Sequence, residues 1–335
     1  MNEGSPFWPF WNAEERRLRA GVRIYALVSL RSLVLAVIGA PVAVLVLDAV
    51  AGGPGGSAGL DLDANSLQAR VAGEVAAVVC TVLSVWVAGR LLDRRRFAEF
   101  GFRLTRGWWV DLLFGFALGG VLMGAIFAVE LAAGWATVSG TFEGGWGSPL
   151  LVLGPIAVFM GAALWEELFY RGYMLKNLAE GLSFPPLGAR GAVVLAWALI
   201  SGLFGVMHIS NPNADAFAVA NIVAAGLMLG LPYVRTGELS IPIGLHLGWN
   251  LFQNMVFGLP VSGIKPDGAT VFTVERVGPA LLTGGAFGPE GGVLGLLAIG
   301  LGCAAILTWS RLKEGQVSVS EKVAQPPARS GAGTE

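Results

Sequence analysis

Eight apolar runs, each of about 20 residues as a bilayer-spanning helix requires, constrain this chain more than any other feature. They lie near 26–48, 70–92, 110–134, 150–175, 191–213, 216–233, 239–258 and 290–309. With 54% hydrophobic and 13% charged residues and a mean hydropathy of +0.66, the chain reads as all-α: a polytopic membrane helical bundle of about eight transmembrane helices. The runs divide it into an N-terminal segment at 1–25, helices over 26–134, a second group over 150–258, a last helix at 290–309 and a tail at 312–335.

Eight crossings put both termini on one side, and the basic residues say which. With the N-terminus cytoplasmic, the inside segments hold 17 Lys and Arg, among them Arg16, Arg17, Arg19, Arg23, Arg94, Arg95 and Arg96, whereas the outside segments hold three, Arg70, Lys265 and Arg276. That bias is the positive-inside signature. The chain is expected in the cell (cytoplasmic) membrane with both termini cytoplasmic. Arg16 to Arg23 precede an apolar stretch too long for the core of a cleavable signal, so the first span is expected to stay as an anchor.

The connections are less informative. Residues 1–23 read as a basic flank that could lie as a short interfacial helix. The loop 51–68 is Gly-rich and reads as a flexible external connection. The polar tail from 312, rich in Gly, Pro, Ser and Ala, is expected to be disordered. Cys80 and Cys303 fall inside spans without C-x-x-C spacing, which suggests neither a disulfide framework nor a thiolate metal site. No G-x-G-x-x-G or P-loop appears, so neither nucleotide chemistry nor a nucleic-acid partner is expected.

Ionisable groups inside the hydrocarbon are costly and therefore functional candidates. The fourth run contains WEELFYRG, with Glu166, Glu167 and Arg171; the fifth ends in LFGVMHISNPN, with His208; the seventh carries His246 and Asn250 in IGLHLGWNLFQN. These are the chain's two histidines. Glu167 and Arg171 stand i, i+4 with the acid first, the favourable order for an ion pair, and a purely structural pair is the alternative reading. Glu166 points about 100° away from Glu167 round the helix, which leaves it free for other work. Asn250 shares a face with His246, and Phe204, one turn before His208, is placed to pack its ring.

Such groups contain the parts of a hydrolytic site. A carboxylate and an imidazole can deprotonate a water that attacks an amide carbonyl, and Arg171 and Asn250 are candidate donors to the oxyanion. G-x-S-x-G is absent, which disfavours serine chemistry. The metal alternative is Zn2+ on Glu166, His208 and His246, although no H-E-x-x-H motif occurs. A proton- or solute-coupled transporter also buries such groups, and Pro155, Pro212, Pro232 and Pro242 interrupt or border spans as transporter helices do. Glu74, Asp111 and Glu130 read as interfacial residues without a role.

The blocks EELFYR, FGVMH and HLGWN match in order the motifs EExxxR, FxxxH and HxxxN/B of the CPBP family, the CAAX prenyl endopeptidase and bacteriocin-processing (ABI-type) intramembrane proteases, which the chain resembles over 150–258. The resemblance implies a CAAX-type endopeptidase in which Glu166 and His208 activate water, Glu167 and Arg171 support the site, and His246 and Asn250 complete it. It also implies the bilayer as surroundings and a membrane-embedded or membrane-associated protein or peptide as substrate. No cofactor is favoured, the family having been described both as metalloproteases and as glutamic endopeptidases. Some members act as immunity factors or scaffolds, which keeps a non-proteolytic binding role as the alternative. Two expectations follow that coordinates can test. Hydrolysis in the membrane calls for a cavity, expected to face the cytoplasm, and the span boundaries set His208 a turn or two further out than Glu166 and His246.

Overall fold

The computed structural model describes residues 10–13, 15–51, 53, 66–143, 145–315 and 317–327. Among them, seven helices are long and apolar enough to cross a membrane. These are α1 (Ala20–Val50), α2 (Leu67–Asp93), α3 (Arg106–Ala132), α4 (Pro149–Gly181), α5 (Gly188–Val206), α6 (Ala216–Thr236) and, after a shorter α7, α8 (Val293–Glu314). The eighth expected span, 239–258, is α7 (Ser240–Leu251), which runs on into a π-helical stretch at Phe252–Val256. Every residue of α7 from Ser240 to Trp249 is buried. It is a central helix wrapped by protein, so it need not match the lipid thickness that sets the length of its neighbours. The chain is a polytopic all-α membrane protein.

Two small sheets accompany the helices. β1 (Trp11–Asn12) pairs antiparallel with β2 (Arg17–Leu18), so the described part of the N-terminal lead is a tight hairpin and not an interfacial helix. β3 (Ala136–Glu143) pairs antiparallel with β4 (Thr270–Arg276), with Ala136 opposite Arg276 and Glu143 opposite Thr270. Both strands are rich in Thr and Val, which suit a pleated surface. Most of the loop expected to be flexible, 54–65, lies outside the described residues.

The antiparallel helices give the bundle two distinct ends. The loop end carries the connections 133–148, 207–215 and 257–292; the basic end carries the N-terminal lead, 94–105, 182–187 and the residues after α8. At the basic end Glu180 of α4 takes three guanidiniums, those of Arg17, Arg23 and Arg95, the last at 2.8 Å, and Arg23 also meets Asp93 at 2.9 Å. This cluster ties the N-terminal lead to α2 and α4. The tail corrects the expectation of disorder over 317–327. Ser320 N donates to Val234 O at 2.9 Å, Arg95 donates to Gln325 O, and Val323 and Ala324 are buried. Composition favours disorder, but two buried apolar residues and two backbone groups suffice to dock the segment. Residues 328–335 lie outside the described part.

The helix pair α3 and α7 sets the core. Gly115 and Gly119 on α3 face Gly244 and Gly248 on α7 so closely that a Cβ on Gly244 would stand 2.1 Å from Leu112 O, and one on Gly248 2.2 Å from Phe116 O. The sequences GFALG and GLHLG are small-xxx-small ridges that let two backbones touch in lipid. His246 sits between the two α7 glycines, about 200° round the helix from Gly244. Pinning the glycine face to α3 therefore turns the histidine towards the opposite side of α7.

Candidate active site

On that opposite side lies a cavity of about 370 Å³, lined by residues of all three sequence blocks: Glu166, Phe204, His208, His246 and Asn250. The early end of α5 is what brings them together. Phe204 stacks edge-on against Tyr170 with centroids 5.4 Å apart, and its ring lies 4.3 Å beneath the Arg171 guanidinium. In antiparallel helices, four residues forward along α5 and four back along α4 then set His208 level with Glu166 and Glu167. The expected mismatch in depth disappears because α5 stops at Val206 and His208 sits in the turn that follows, well below the loop end of α4.

Glu166 ends the α-helical part of α4, which continues as a π-helical stretch over Glu167–Leu175. Such widened turns recur at functional sites because they re-aim side chains. Its Oε2 is buried and finds no hydrogen-bond partner among the described residues. Glu167, fully buried, is engaged twice through Oε1, with Arg171 Nη1 at 3.0 Å and His246 Nδ1 at 3.0 Å. The expected Glu167–Arg171 pair is present, and the bond to His246 adds a link between α4 and α7.

The two imidazoles are held alike. His208 Nδ1 lies 2.7 Å from Phe204 O, and a carbonyl only accepts, so Nδ1 carries the proton and Nε2 is left with a lone pair in the neutral ring. His246 Nδ1 is turned to the Glu167 carboxylate in the same way. Fixing one nitrogen of a histidine sets the tautomer and the use of the other. Phe204 packs its ring against both histidines, with centroids at 4.7 Å from His208 and 6.4 Å from His246.

Arg171 departs from its expected role as an oxyanion donor. It is 1% exposed, its Nη1 is bound to Glu167 and its Nη2 donates to Gly226 O at 3.3 Å, and it does not line the cavity. Asn250 does line it. Of the two expected donors, the asparagine is the one placed to reach a reacting group.

Three charged cavity residues lie outside the motifs. Glu74 of α2, expected to be interfacial, lines the cavity and accepts a hydrogen bond from Trp165 Nε1 at 2.8 Å. A lone carboxylate in the apolar run VAGEVAAVVC was the signal for it. Glu290 accepts from Gln253 Nε2 and from Ser262 N at 2.5 Å, which fastens the 258–264 loop over the cavity. Arg70 pairs with Asp267 at 2.8 Å across the rim. Glu130 and Asp111 are structural, paired with Arg276 at 2.7 Å and Lys313 at 2.6 Å.

Glu166, His208 and His246 border one cavity, yet among the described residues no group of three or more His, Cys, Asp or Glu side chains is spaced to hold a metal ion. What the geometry does assemble is a free carboxylate oxygen, two oriented imidazoles and an amide around a space large enough for a peptide side chain, within an apolar wall.

Comparison with known proteins agrees with the motifs. Residues 146–252 match the family model described as type II CAAX prenyl endopeptidase Rce1-like. A Bacillus subtilis (strain 168) protein, Uncharacterized protein YyaK, is 28% identical over 206 residues, which cover 58% of this chain and 63% of that protein. The matched part thus spans less than two thirds of that relative. No solved structure matches the chain. The family description names an endopeptidase, which supports a CAAX-type intramembrane protease kind of function. Residues 146–252 of this polytopic all-α membrane protein are therefore similar to the Rce1-like type II CAAX prenyl endopeptidases, as the three motifs in order had implied.

Proposed function

We propose that the protein is an intramembrane endopeptidase of the glutamate type, hydrolysing a peptide bond of a membrane-associated protein or peptide. The observation that carries this reading is Glu166 Oε2, buried on the cavity wall without a hydrogen-bond partner among the described residues and level with the oriented His208. A water held between Glu166 and His208 Nε2 attacks the carbonyl carbon and gives its proton to the Glu166 carboxylate. Asn250 Nδ2 donates to the oxygen that gains charge. When the intermediate collapses, the C–N bond breaks and the same proton passes from Glu166 to the leaving amine. Glu167 and Arg171 do not touch the reacting atoms; Glu167 holds the His246 ring and Arg171 balances the charge of Glu167 in a dry site.

The test is cleavage of a proteome-derived membrane-peptide library by purified wild type and by Glu166→Gln, with and without a strong chelator. Wild type is expected to cut, to keep cutting with chelator present, and to lose ~10²–10⁴-fold in rate in the variant, the range that a general base supplies. Loss of wild-type cleavage on chelation would move the chemistry to a metal. A wild type that cuts nothing, in folded form, would return the chain to a binding or immunity role.

A further inference from the structure

The cavity reaches the surface towards one end of the bundle. Its rim is built by Arg70 and Glu74 at the start of α2, Asn211 in the turn after α5, Ser262 and Ile264 after α7, and Glu290 before α8. Alternating crossings put all of these at the loop end of the bundle. The opposite end holds the Glu180 cluster with Arg17, Arg23 and Arg95, together with Arg103, Arg235 and Lys313. The loop end has three basic residues, and two of them, Arg70 and Arg276, are paired with acids at 2.8 and 2.7 Å. Juxtamembrane Lys and Arg stay cytoplasmic, so the mouth of the cavity lies on the far side of the membrane from them.

We infer that the cavity opens to the non-cytoplasmic face and takes membrane-anchored peptides whose scissile bond is presented from that side, an apolar side chain next to the bond entering between Phe159, Met228, Leu229 and Trp249. The second half rests on the endopeptidase reading; the first does not. Among the described residues, the buried Glu180 cluster and the docked 317–327 segment fill the space between α2, α4 and α6 at the basic end. A substrate whose cleavable segment is a cytoplasmic tail would have to cross that plug to reach Glu166.

Cysteine labelling on intact cells tests the first half without any need for activity. In a background with Cys80 and Cys303 replaced by Ala, the exposed loop-end residue next to Ile264 of the rim is tested as Lys265→Cys and the exposed basic-end residue as Arg106→Cys, using a membrane-impermeant maleimide. Lys265→Cys is expected to label as fully in intact as in permeabilised cells, and Arg106→Cys only after permeabilisation. The reverse pattern overturns the inference. For the second half, wild type is co-expressed with two single-span reporters that carry the same peptide library on either the outer or the cytoplasmic side. Cleavage confined to the outer reporter is expected, and cleavage of the cytoplasmic one overturns the assignment. If neither is cut, the endopeptidase reading and the substrate class fall together, while the labelling still decides where the cavity opens.

Discussion

Glu166 and Glu180 belong to the same helix, α4, and both are carboxylates withdrawn from water, yet their surroundings differ in kind. Glu180 is saturated: three guanidiniums from the N-terminal lead, α1 and the segment after α2 converge on its two oxygens. Glu166 has an oxygen with no hydrogen-bond partner among the described residues, although His208, His246 and Asn250 border the same cavity. A satisfied buried charge holds elements in place; an unsatisfied one is a cost that a fold retains where the group has something else to bind. Glu167 lies between these cases, with Oε1 shared by Arg171 and His246 and Oε2 free. It works as architecture for the site itself.

The comparison makes opposite demands on two variants. Glu180→Gln removes the carboxylate that three buried guanidiniums share, leaving Arg17 with Glu15, Arg23 with Asp93 and Arg95 with Glu99, and removing one partner of a buried ion pair costs about 3–5 kcal/mol. The purified variant is expected to melt well below wild type in detergent, while the surviving folded fraction cleaves at the wild-type rate per molecule. Asn250→Ala is expected to do the reverse. Loss of one oxyanion donor costs ~10²–10³ in kcat, with KM nearly unchanged because the interaction forms in the transition state, and with the melting temperature retained. Were Glu180→Gln to abolish cleavage in fully folded protein, or Asn250→Ala to act only through stability, the division between architectural and reactive ends of the bundle would fail.

Much of this division could be read from the sequence because its chemistry is local. EELFYR, FGVMH and HLGWN each place two groups on a helix at short spacing, and the i, i+4 rule gave the Glu167–Arg171 pair correctly. That rule names a partner within one helix and is silent about neighbours across the bundle. The bond from His246 to Glu167 and the contact of Arg171 with Gly226 O therefore escaped it, and Arg171 was assigned an oxyanion role that its burial denies. Glu74 and Glu290 escaped for a related reason: a single carboxylate at the edge of a span resembles an interfacial residue until other helices close round it. The depth of His208 is not legible because it depends on where α5 stops, and the apolar run 191–213 continues past that point. Depth counted along the run placed His208 too far out. The helix ends at Val206, so His208 stands just past the end of α5 and not in the middle of a longer span.

The smallest expected effect tests what aims His246. Gly248 of α7 approaches α3 so closely that an added Cβ would stand 2.2 Å from Phe116 O and 2.9 Å from its carbonyl carbon, both backbone atoms that cannot rotate away. Gly248→Ala must therefore push the two helices apart, and overpacking of this kind costs about 1–3 kcal/mol. Gly124 on α3 serves as the control, since a Cβ there meets only the Phe257 ring at 3.6 Å, an ordinary contact; Gly124→Ala is expected to stay within about 0.5 kcal/mol of wild type. The informative readout is the split between stability and rate in detergent-purified protein. If the glycine face only holds α7 in place, the folded fraction of Gly248→Ala cleaves normally. If it also turns His246 towards Glu167, the separation of the helices loosens that hydrogen bond and kcat falls in protein that remains folded, while KM stays close to wild type. The second outcome is expected, because Gly244 and Gly248 flank the histidine on the opposite face and any retreat of α7 from α3 moves its ring directly into the cavity.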